Sequence, residues 1–126
     1  MASNDDAMKG RLAPCPSSPN CVSSLSADEG HFIEPLRYAS SPDDAMKRLR
    51  KIIMTMERAT ITTDVEGYIH VEFRTLLGFV DDAQFLLDSK SGVIHVRSAS
   101  RTGYWDLGVN RSRIESIRER FIEAEK

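Results

Sequence analysis

The chain has 126 residues, of which 40% are hydrophobic and 29% are charged, and its formal net charge is −2. This length matches one domain, and the composition excludes collagen-like, low-complexity and disordered chains. The small acidic excess disfavours nucleic acid as a partner, because phosphate-binding domains usually carry a basic excess.

No apolar run approaches the roughly 20 residues that a membrane-spanning helix needs. Residues 1–10 are polar and acidic, and they lack the apolar core of a signal peptide. The sequence therefore predicts a cytoplasmic chain with no membrane segment.

Residues 1–30 contain several prolines, serines and asparagines and only scattered apolar residues. They are predicted to form an irregular N-terminal arm, followed by a single α+β domain over residues 31–126. The arm carries both cysteines, Cys15 and Cys21. A disulfide closing this short loop and a pair of free thiols are the two main interpretations. A zinc site would need closer spacing and more ligands, and a redox pair would normally be C-x-x-C at a helix start.

The first clear element is a helix of roughly 15 residues that begins after Ser41, with Pro42 at its first position. The apolar period then changes to two, which predicts strands over residues 59–65, 68–74, 83–88 and 93–99. A second helix follows, with Asn110 or Ser112 as its N-cap and a capping-box spacing from Ser112 to Glu115. Its apolar stripe comprises Ile114, Ile117, Phe121 and Ile122.

Short connections make successive strands antiparallel, and both helices must bury an apolar stripe. The predicted fold is a four-stranded antiparallel meander with two helices packed on one face, preceded by the arm. The opposite face of the sheet would then be polar.

That polar face is predicted to carry Tyr68, His70, Glu72, Arg74, His95 and Arg97. One interpretation is a solvated face with cross-strand charge pairs, which antiparallel sheets often show. The other is a functional surface on which His70 or His95 acts as a base near neutral pH, with Asp81 or Asp82 orienting it.

Residues 78–82, Gly-Phe-Val-Asp-Asp, are predicted to form a turn between the second and third strands. Asp81 and Asp82 could bond their own backbone, accept from arginine, or ligate a hard cation. No metal site and no cofactor are predicted.

Residues 97–111 hold three arginines, two glycines, the only tryptophan, Asp106 and Asn110. A loop that leads into a helix start presents free N–H groups, and arginines add bidentate anion donors. The candidate ligand-binding residues are Arg74, Arg97, Arg101, Asp106, Asn110 and Arg111. The alternative is structural, with Arg101 or Arg111 paired to Asp81, Asp82 or Asp106 inside the fold.

Four segments together resemble the uncharacterised family called domain of unknown function 1499. They are residues 15–24 (Cys-Pro-Ser-Ser-Pro-Asn-Cys-Val-Ser-Ser), 78–82, 97–101 (Arg-Ser-Ala-Ser-Arg) and 106–111 (Asp-Leu-Gly-Val-Asn-Arg). The resemblance covers about residues 12–122. It implies a bacterial or plastid-lineage protein, in some relatives with a membrane or export segment, and it supplies no activity, cofactor or catalytic residue.

Three hypotheses for function follow. The first is a module that binds a small anionic ligand or an acidic protein partner through the arginines. The second is a structural or protein-interaction domain with internal Arg–Asp networks. The third is a hydrolase or isomerase that uses the His and Asp side chains in acid–base chemistry.

Overall fold

The computed structural model describes residues 12–126, which contain six strands and two helices. In chain order they are β1 (Cys21–Ser23), β2 (Leu36–Arg37), α1 (Pro42–Met54), β3 (Ala59–Val65), β4 (Tyr68–Arg74), β5 (Val80–Asp88), β6 (Val93–Ser100) and α2 (Val109–Glu125). The α+β class is confirmed. The expectations for residues 1–11, including the absence of a signal peptide, lie outside the described residues.

The strands form one antiparallel sheet in the order β1-β6-β5-β4-β3, and β2 also pairs with β6. Strands β3 to β6 are the predicted meander, but the expected count of four strands is wrong. Cys21–Ser23 pairs with residues 97–99 of β6, and Leu36–Arg37 pairs with residues 93–94. These additions cover an edge of β6 that would otherwise present unpaired N–H and C=O groups. Strands of two or three residues are too short to show the alternation that predicts a strand.

One face of the sheet, here called the inner face, packs against both helices. Strand β4 contributes Ile69, Val71 and Phe73 to this core, as their alternation predicts. Leu49 of α1 and Phe121 of α2 are fully buried in the same cluster. The helices therefore lie on one face, as predicted.

Helix α1 begins where its sequence indicates. Ser41 is the N-cap, and its hydroxyl accepts a hydrogen bond from the Asp44 N–H at 3.2 Å. Pro42 occupies the first turn, where its missing N–H leaves no intrahelical bond unmade.

The predicted caps of α2 are wrong. The helix begins at Val109, after Gly108 in the left-handed region with φ 78°, and Gly108 offers no side-chain cap. The Asp106 carboxylate accepts instead from the Gly108 N–H at 2.8 Å and the Asn110 N–H at 3.0 Å. Asn110 lies inside the first turn and is buried. The capping carboxylate thus belongs to a residue that is separated from the helix by a turn at Gly108. A sequence pattern that considers only residues next to the helix start does not detect such a cap.

Within residues 12–126, no helix combines the length and apolar character that crossing a bilayer requires.

Candidate functional site

Asp81 and Asp82 lie within strand β5, so the predicted turn at residues 78–82 is corrected. The turn ends before Val80, and the two aspartates follow the alternation of the strand. Asp81 is on the inner face and Asp82 on the opposite face, here called the outer face, because side chains alternate across a strand. The two carboxylates therefore belong to different polar networks and do not share a cation. Among the described residues, no group of three or more His, Cys, Asp or Glu side chains is placed to hold a metal ion.

On the inner face, Asp81 forms an ion pair with Arg113 of α2. Arg113 Nη2 lies 2.7 Å from Asp81 Oδ2, and the two side chains are 11% and 4% exposed, respectively. The guanidinium also lies over the Phe73 ring, 4.6 Å from its centroid. Sequence reasoning missed Arg113, because nothing in a helical run of charged residues marks one arginine as buried.

Asn110 connects this ion pair to the rest of the inner face. Its Oδ1 accepts from the Ser98 hydroxyl at 2.7 Å and from Arg113 Nη1 at 2.9 Å. Its Nδ2 donates to Asp106 at 2.8 Å and to the Ser100 hydroxyl at 2.9 Å. Asn20 in the arm completes the connection, since its carbonyl accepts from Asn110 and its amide donates to Gly103 O. We call this set the inner network: Asn20, Asp81, Ser98, Ser100, Asp106, Asn110 and Arg113.

The inner network uses the polar atoms of two predicted ligand residues internally. Asn110 is fully buried. Burial would raise the pKa of Asp106, but hydrogen bonds from the backbone and side chain of Asn110 and from the Gly108 N–H outweigh it and lower that pKa. Asp106 is therefore a charged helix cap, and Asn110 is a buried connector.

On the outer face, Arg101 forms a fork with two carboxylates. Its Nε lies 2.7 Å from Asp82 Oδ2, and its Nη2 lies 2.9 Å from Asp82 Oδ1 and 2.8 Å from Glu72 Oε2. His70 Nε2 is 2.8 Å from Asp82 Oδ1. We call these four residues the outer network: His70, Glu72, Asp82 and Arg101.

Hydrogen bonds within the outer network stabilise the charged forms of Asp82 and Arg101. The hydrogen bonds from Arg101, and secondarily from His70, hold the pKa of Asp82 below its usual value against the opposing effect of burial. Asp82 and then Glu72 raise the pKa of Arg101. Arg101 is thus already occupied by carboxylates of the chain itself.

His95 lies on the same face as His70 but has different partners. Its Nδ1 is 3.1 Å from the Ser24 hydroxyl and its Nε2 is 3.2 Å from Asp88 Oδ2. The Ser24 hydroxyl oxygen also accepts the Val96 N–H at 2.8 Å, and Ser24 is buried. Ser24, His95 and Asp88 therefore hold the C-terminal part of the arm against β6, and Asp88 was not predicted.

The remaining candidate arginines lie in three separate places. Arg97 is half-buried on the outer face, where Nη2 donates to Pro14 O at 3.4 Å, and burial lowers its pKa. Its Nε is buried and makes no hydrogen bond within residues 12–126. Arg111 is exposed and reaches Gly30 O at 3.4 Å, while Arg74 is exposed at the end of β4. No contact in the described part of the chain unites these arginines into one anion site.

Cys15 and Cys21 form a disulfide, with a Cα–Cα distance of 5.7 Å, which confirms that interpretation of the pair. The bond fixes the arm beside β6, because Cys21 pairs with Ala99. Beyond it, Leu12 buries apolar surface on the outer face in a small cluster with Tyr68 and Leu86. The outer face is therefore partly covered by the arm and is less open than the sequence predicts.

Two loops at one end of the sheet carry large apolar side chains that face solvent. Residues 75–79 join β4 to β5, and residues 101–108 join β6 to α2. We call the exposed side chains of these loops, together with Val109 at the start of α2, the rim: Leu76 (85%), Leu77 (85%), Phe79 (55%), Tyr104 (70%), Trp105 (67%), Leu107 (74%) and Val109 (42%). Sequence reasoning missed the rim, although short apolar runs beside glycines in the predicted connections were a visible signal.

The two rim loops are neighbours and each has a defined backbone. The Arg101 N–H donates to Val80 O at 3.1 Å, which joins the start of one loop to the end of the other. Within the first loop, Thr75 O accepts from the Gly78 N–H at 3.0 Å, and the Phe79 N–H donates to the Thr75 hydroxyl at 3.0 Å. In the second loop, the Asp106 carboxylate accepts from the Gly108 N–H, and the Asn20 amide donates to Gly103 O.

Compared with models of known protein families, residues 11–121 match the model described as "Protein of unknown function (DUF1499)". No curated protein and no solved structure matches the chain.

Proposed function

Because the chain belongs to the DUF1499 family, whose description names no activity, we propose a function from the site itself: the domain is an interaction module. Its polar networks hold two loops in a fixed shape, and the apolar rim on those loops docks on a partner. The observation that carries this proposal is the concentration of seven large side chains, 42–85% exposed, at one end of the sheet.

The internal character of the networks supports an interaction role over a ligand role. Asp81, Asp82 and Asp106 each accept from groups of the chain itself, at distances of 2.7 to 3.0 Å. A ligand anion at Arg101 would compete with Asp82 and Glu72, which already bind its Nε and Nη2. The motif residues therefore serve best as supports for the loops.

The rim itself supports docking because exposed apolar side chains gathered on two neighbouring loops are typical of interaction sites. Tryptophan, tyrosine and phenylalanine are also the residue types enriched at interfaces. Burying these side chains inside the domain would have been more favourable, so their exposure indicates a use outside it.

Position-specific photo-crosslinking in the producing cell tests the proposal. A photoreactive amino acid is placed at Leu77, and in a control protein at Val65, which is 47% exposed at the opposite end of the sheet. We expect a discrete adduct from position 77 that is absent from position 65 and is lost when Trp105 is replaced by serine. Equal labelling at both positions would exclude a docking role for the rim.

Anion binding is a second candidate, and Arg97 favours it. Its Nε is a buried donor without a partner in residues 12–126, and burial already penalises its charge. A small phosphate or carboxylate there would satisfy the donor. Concentration-dependent thermal stabilisation by such anions, absent in Arg97→Met, tests this, and a screen in which no anion stabilises the fold rejects it.

Acid–base chemistry is favoured by a single contact, His70 Nε2 to Asp82 Oδ1 at 2.8 Å. An imidazole oriented by a carboxylate is the arrangement that a general base requires. A hydrolase or isomerase would lose turnover in His70→Gln while retaining its folded spectrum. If a broad ester and isomerisation panel shows no difference between the two proteins, this candidate is rejected.

The cellular compartment also remains a prediction. Disulfides are typical of oxidising compartments and rare in the cytosol. Trapping the thiol state of Cys15 and Cys21 in the producing cell tests the cytoplasmic location expected from the sequence.

A further inference from the structure

We infer that the surface on which the rim docks is the interfacial region of a phospholipid bilayer. This inference rests on the proposed docking function and names its partner.

The side chains of the rim have the chemistry of the membrane interface. Trp and Tyr favour the headgroup level of a bilayer, and Leu and Phe favour the acyl region beneath it. The loop tips at residues 75–79 contain no charged residue, and residues 102–109 contain only Asp106. Because the Asp106 carboxylate accepts two backbone N–H groups, it is turned into the fold and not toward the rim surface.

The backbone of the rim suits a shallow insertion. An unpaired N–H or C=O is costly to place near hydrocarbon, so inserted segments must satisfy these groups internally. The Thr75 N–H donates to Phe79 O at 2.8 Å, and the Val109 N–H donates to Asp106 O at 3.1 Å. The loops thus present apolar side chains while parts of their backbone bond internally.

Two exposed arginines flank the rim and could donate to phosphate headgroups. Arg74 precedes the first loop and Arg111 follows the second, both are exposed, and neither forms an ion pair within residues 12–126. The nearby carboxylates of Glu72, Asp81 and Asp82 are instead held by Arg101 and Arg113. Arginine binds phosphate oxygens through paired N–H donors, so these two guanidiniums, which have no carboxylate partner within residues 12–126, would add to the apolar contact.

The shape of the rim favours a bilayer over a protein groove. Leu76 and Leu77 are each 85% exposed, so they project from the domain and are not part of a flat, packed patch. A fluid bilayer accommodates projecting side chains without a complementary cavity.

The single tryptophan of the chain lies in the rim, so its fluorescence reports contact directly. The full chain is titrated with phosphatidylcholine vesicles and with vesicles that also contain phosphatidylglycerol. We expect a blue shift of Trp105 emission and co-sedimentation, with tighter binding to the anionic vesicles that weakens with salt.

Two matched double variants test which residues are responsible. Leu76→Ser/Leu77→Ser should bind at least roughly tenfold more weakly, since a buried leucine contributes more than about 1.4 kcal/mol. Val65→Ser/Ile122→Ser removes two half-exposed apolar residues away from the rim and should bind like the wild type. Arg74→Gln/Arg111→Gln should weaken binding to the anionic vesicles more than binding to phosphatidylcholine, and so reduce the preference for anionic lipid.

The inference is overturned if Trp105 emission is unchanged by both vesicles, or if the two apolar double variants bind alike. Photo-adducts from position 77 that contain protein and no lipid, with no vesicle binding, reject the bilayer but retain the docking function. If the molar mass of the protein in solution rises with concentration, and this rise is lost in Leu76→Ser/Leu77→Ser, the partner of the rim is a second copy of the chain and not a bilayer. Absence of any rim-specific adduct rejects the docking function itself.

Discussion

At the scale of single residues, the inner network is defined by complete use of its polar atoms. Asn110 is fully buried, yet its side-chain carbonyl oxygen accepts two hydrogen bonds, and its two amide N–H groups share three acceptors within 3.3 Å of Nδ2. Buried polar groups are tolerated only when they are bonded in this way. The network is therefore sensitive to the loss of any one member.

Breaking the Asp81–Arg113 pair should destabilise the fold strongly. Asp81→Asn leaves the Arg113 guanidinium buried without its counter-charge, so the free energy of unfolding should fall by about 3–5 kcal/mol. Urea denaturation monitored by circular dichroism measures the change.

The exposed Arg111→Ala is the control for this pair and should change stability by less than about 0.5 kcal/mol. Adding Arg113→Met to Asp81→Asn should recover part of the loss, because the unpaired charge is then gone. Additive losses in the double variant would show that the pair is not coupled.

His31 should make stability depend on pH. Its Nε2 faces Ser18 O at 2.8 Å and its Nδ1 bonds the Asp28 carboxylate, and these two contacts raise the pKa of His31. Two acceptors favour the doubly protonated ring. The contribution is therefore fully present below the unfolded pKa of about 6.5 and is lost as pH rises through the higher folded pKa.

The measurement is the thermal midpoint of the wild type and of His31→Gln between about pH 6 and pH 9. The wild type should lose more stability than the variant over this window. If the thermal midpoints of the two proteins change in parallel with pH, protonation of His31 does not contribute to the stability of the fold.

At the scale of elements, the start of α2 depends on a residue outside the helix. Asp106 bonds the N–H groups of Gly108 and Asn110, and its carboxylate lies at the positive end of the helix dipole. Gly108 with φ 78° provides the turn that lets Asp106 reach the helix. The same residues close the second rim loop, so cap and loop are one structure.

Asp106→Ala should lower the free energy of unfolding by about 1–2 kcal/mol, the usual effect of losing an N-cap. Ser112→Ala should change it by less than about 0.5 kcal/mol, since Ser112 lies on the exposed side of the first turns. Chemical denaturation of both variants measures the difference. If Ser112→Ala lowered the free energy of unfolding more than Asp106→Ala, Ser112 would be the cap.

At the scale of the whole molecule, the arm completes the sheet. Strand β1 pairs with β6, Asn20 enters the inner network, and Leu12 packs on the outer face. The disulfide between Cys15 and Cys21 lies between Leu12 and β1, so it links the segment that packs on the outer face to the strand that pairs with β6. Both faces of the sheet and the edge of β6 therefore depend on one short segment.

Reducing the disulfide should lower stability by about 2 kcal/mol, as loop-closure entropy predicts for six residues of separation. The thermal midpoint of the wild type should fall when a dithiol reductant is added. Cys15→Ser/Cys21→Ser is the control, because it should melt at the reduced midpoint whether or not reductant is present. A wild-type midpoint that does not respond to reductant would show that the bond adds no stability.

The sequence by itself determined the local elements. The cap at Ser41, the helical period of α1 and the alternation of Ile69, Val71 and Phe73 are set by residues close together in the chain, so they were readable. The antiparallel meander followed because short connections leave few alternatives. The Arg101–Asp82 pair was among the predicted possibilities because both residues stand in motif segments.

Only the tertiary structure decided which face each polar side chain occupies and what it meets there. Asp81 and Asp82 separate because β5 begins at Val80, and a shift of strand register by one residue exchanges the two faces. Asn20 and Asn110 bond across 90 positions of sequence, and Arg113 reaches Asp81 across 32. Such contacts depend on the packing of whole elements, which no local pattern encodes. The exposure of the rim side chains is also set by the tertiary structure, because an apolar loop is exposed only where no other part of the fold covers it.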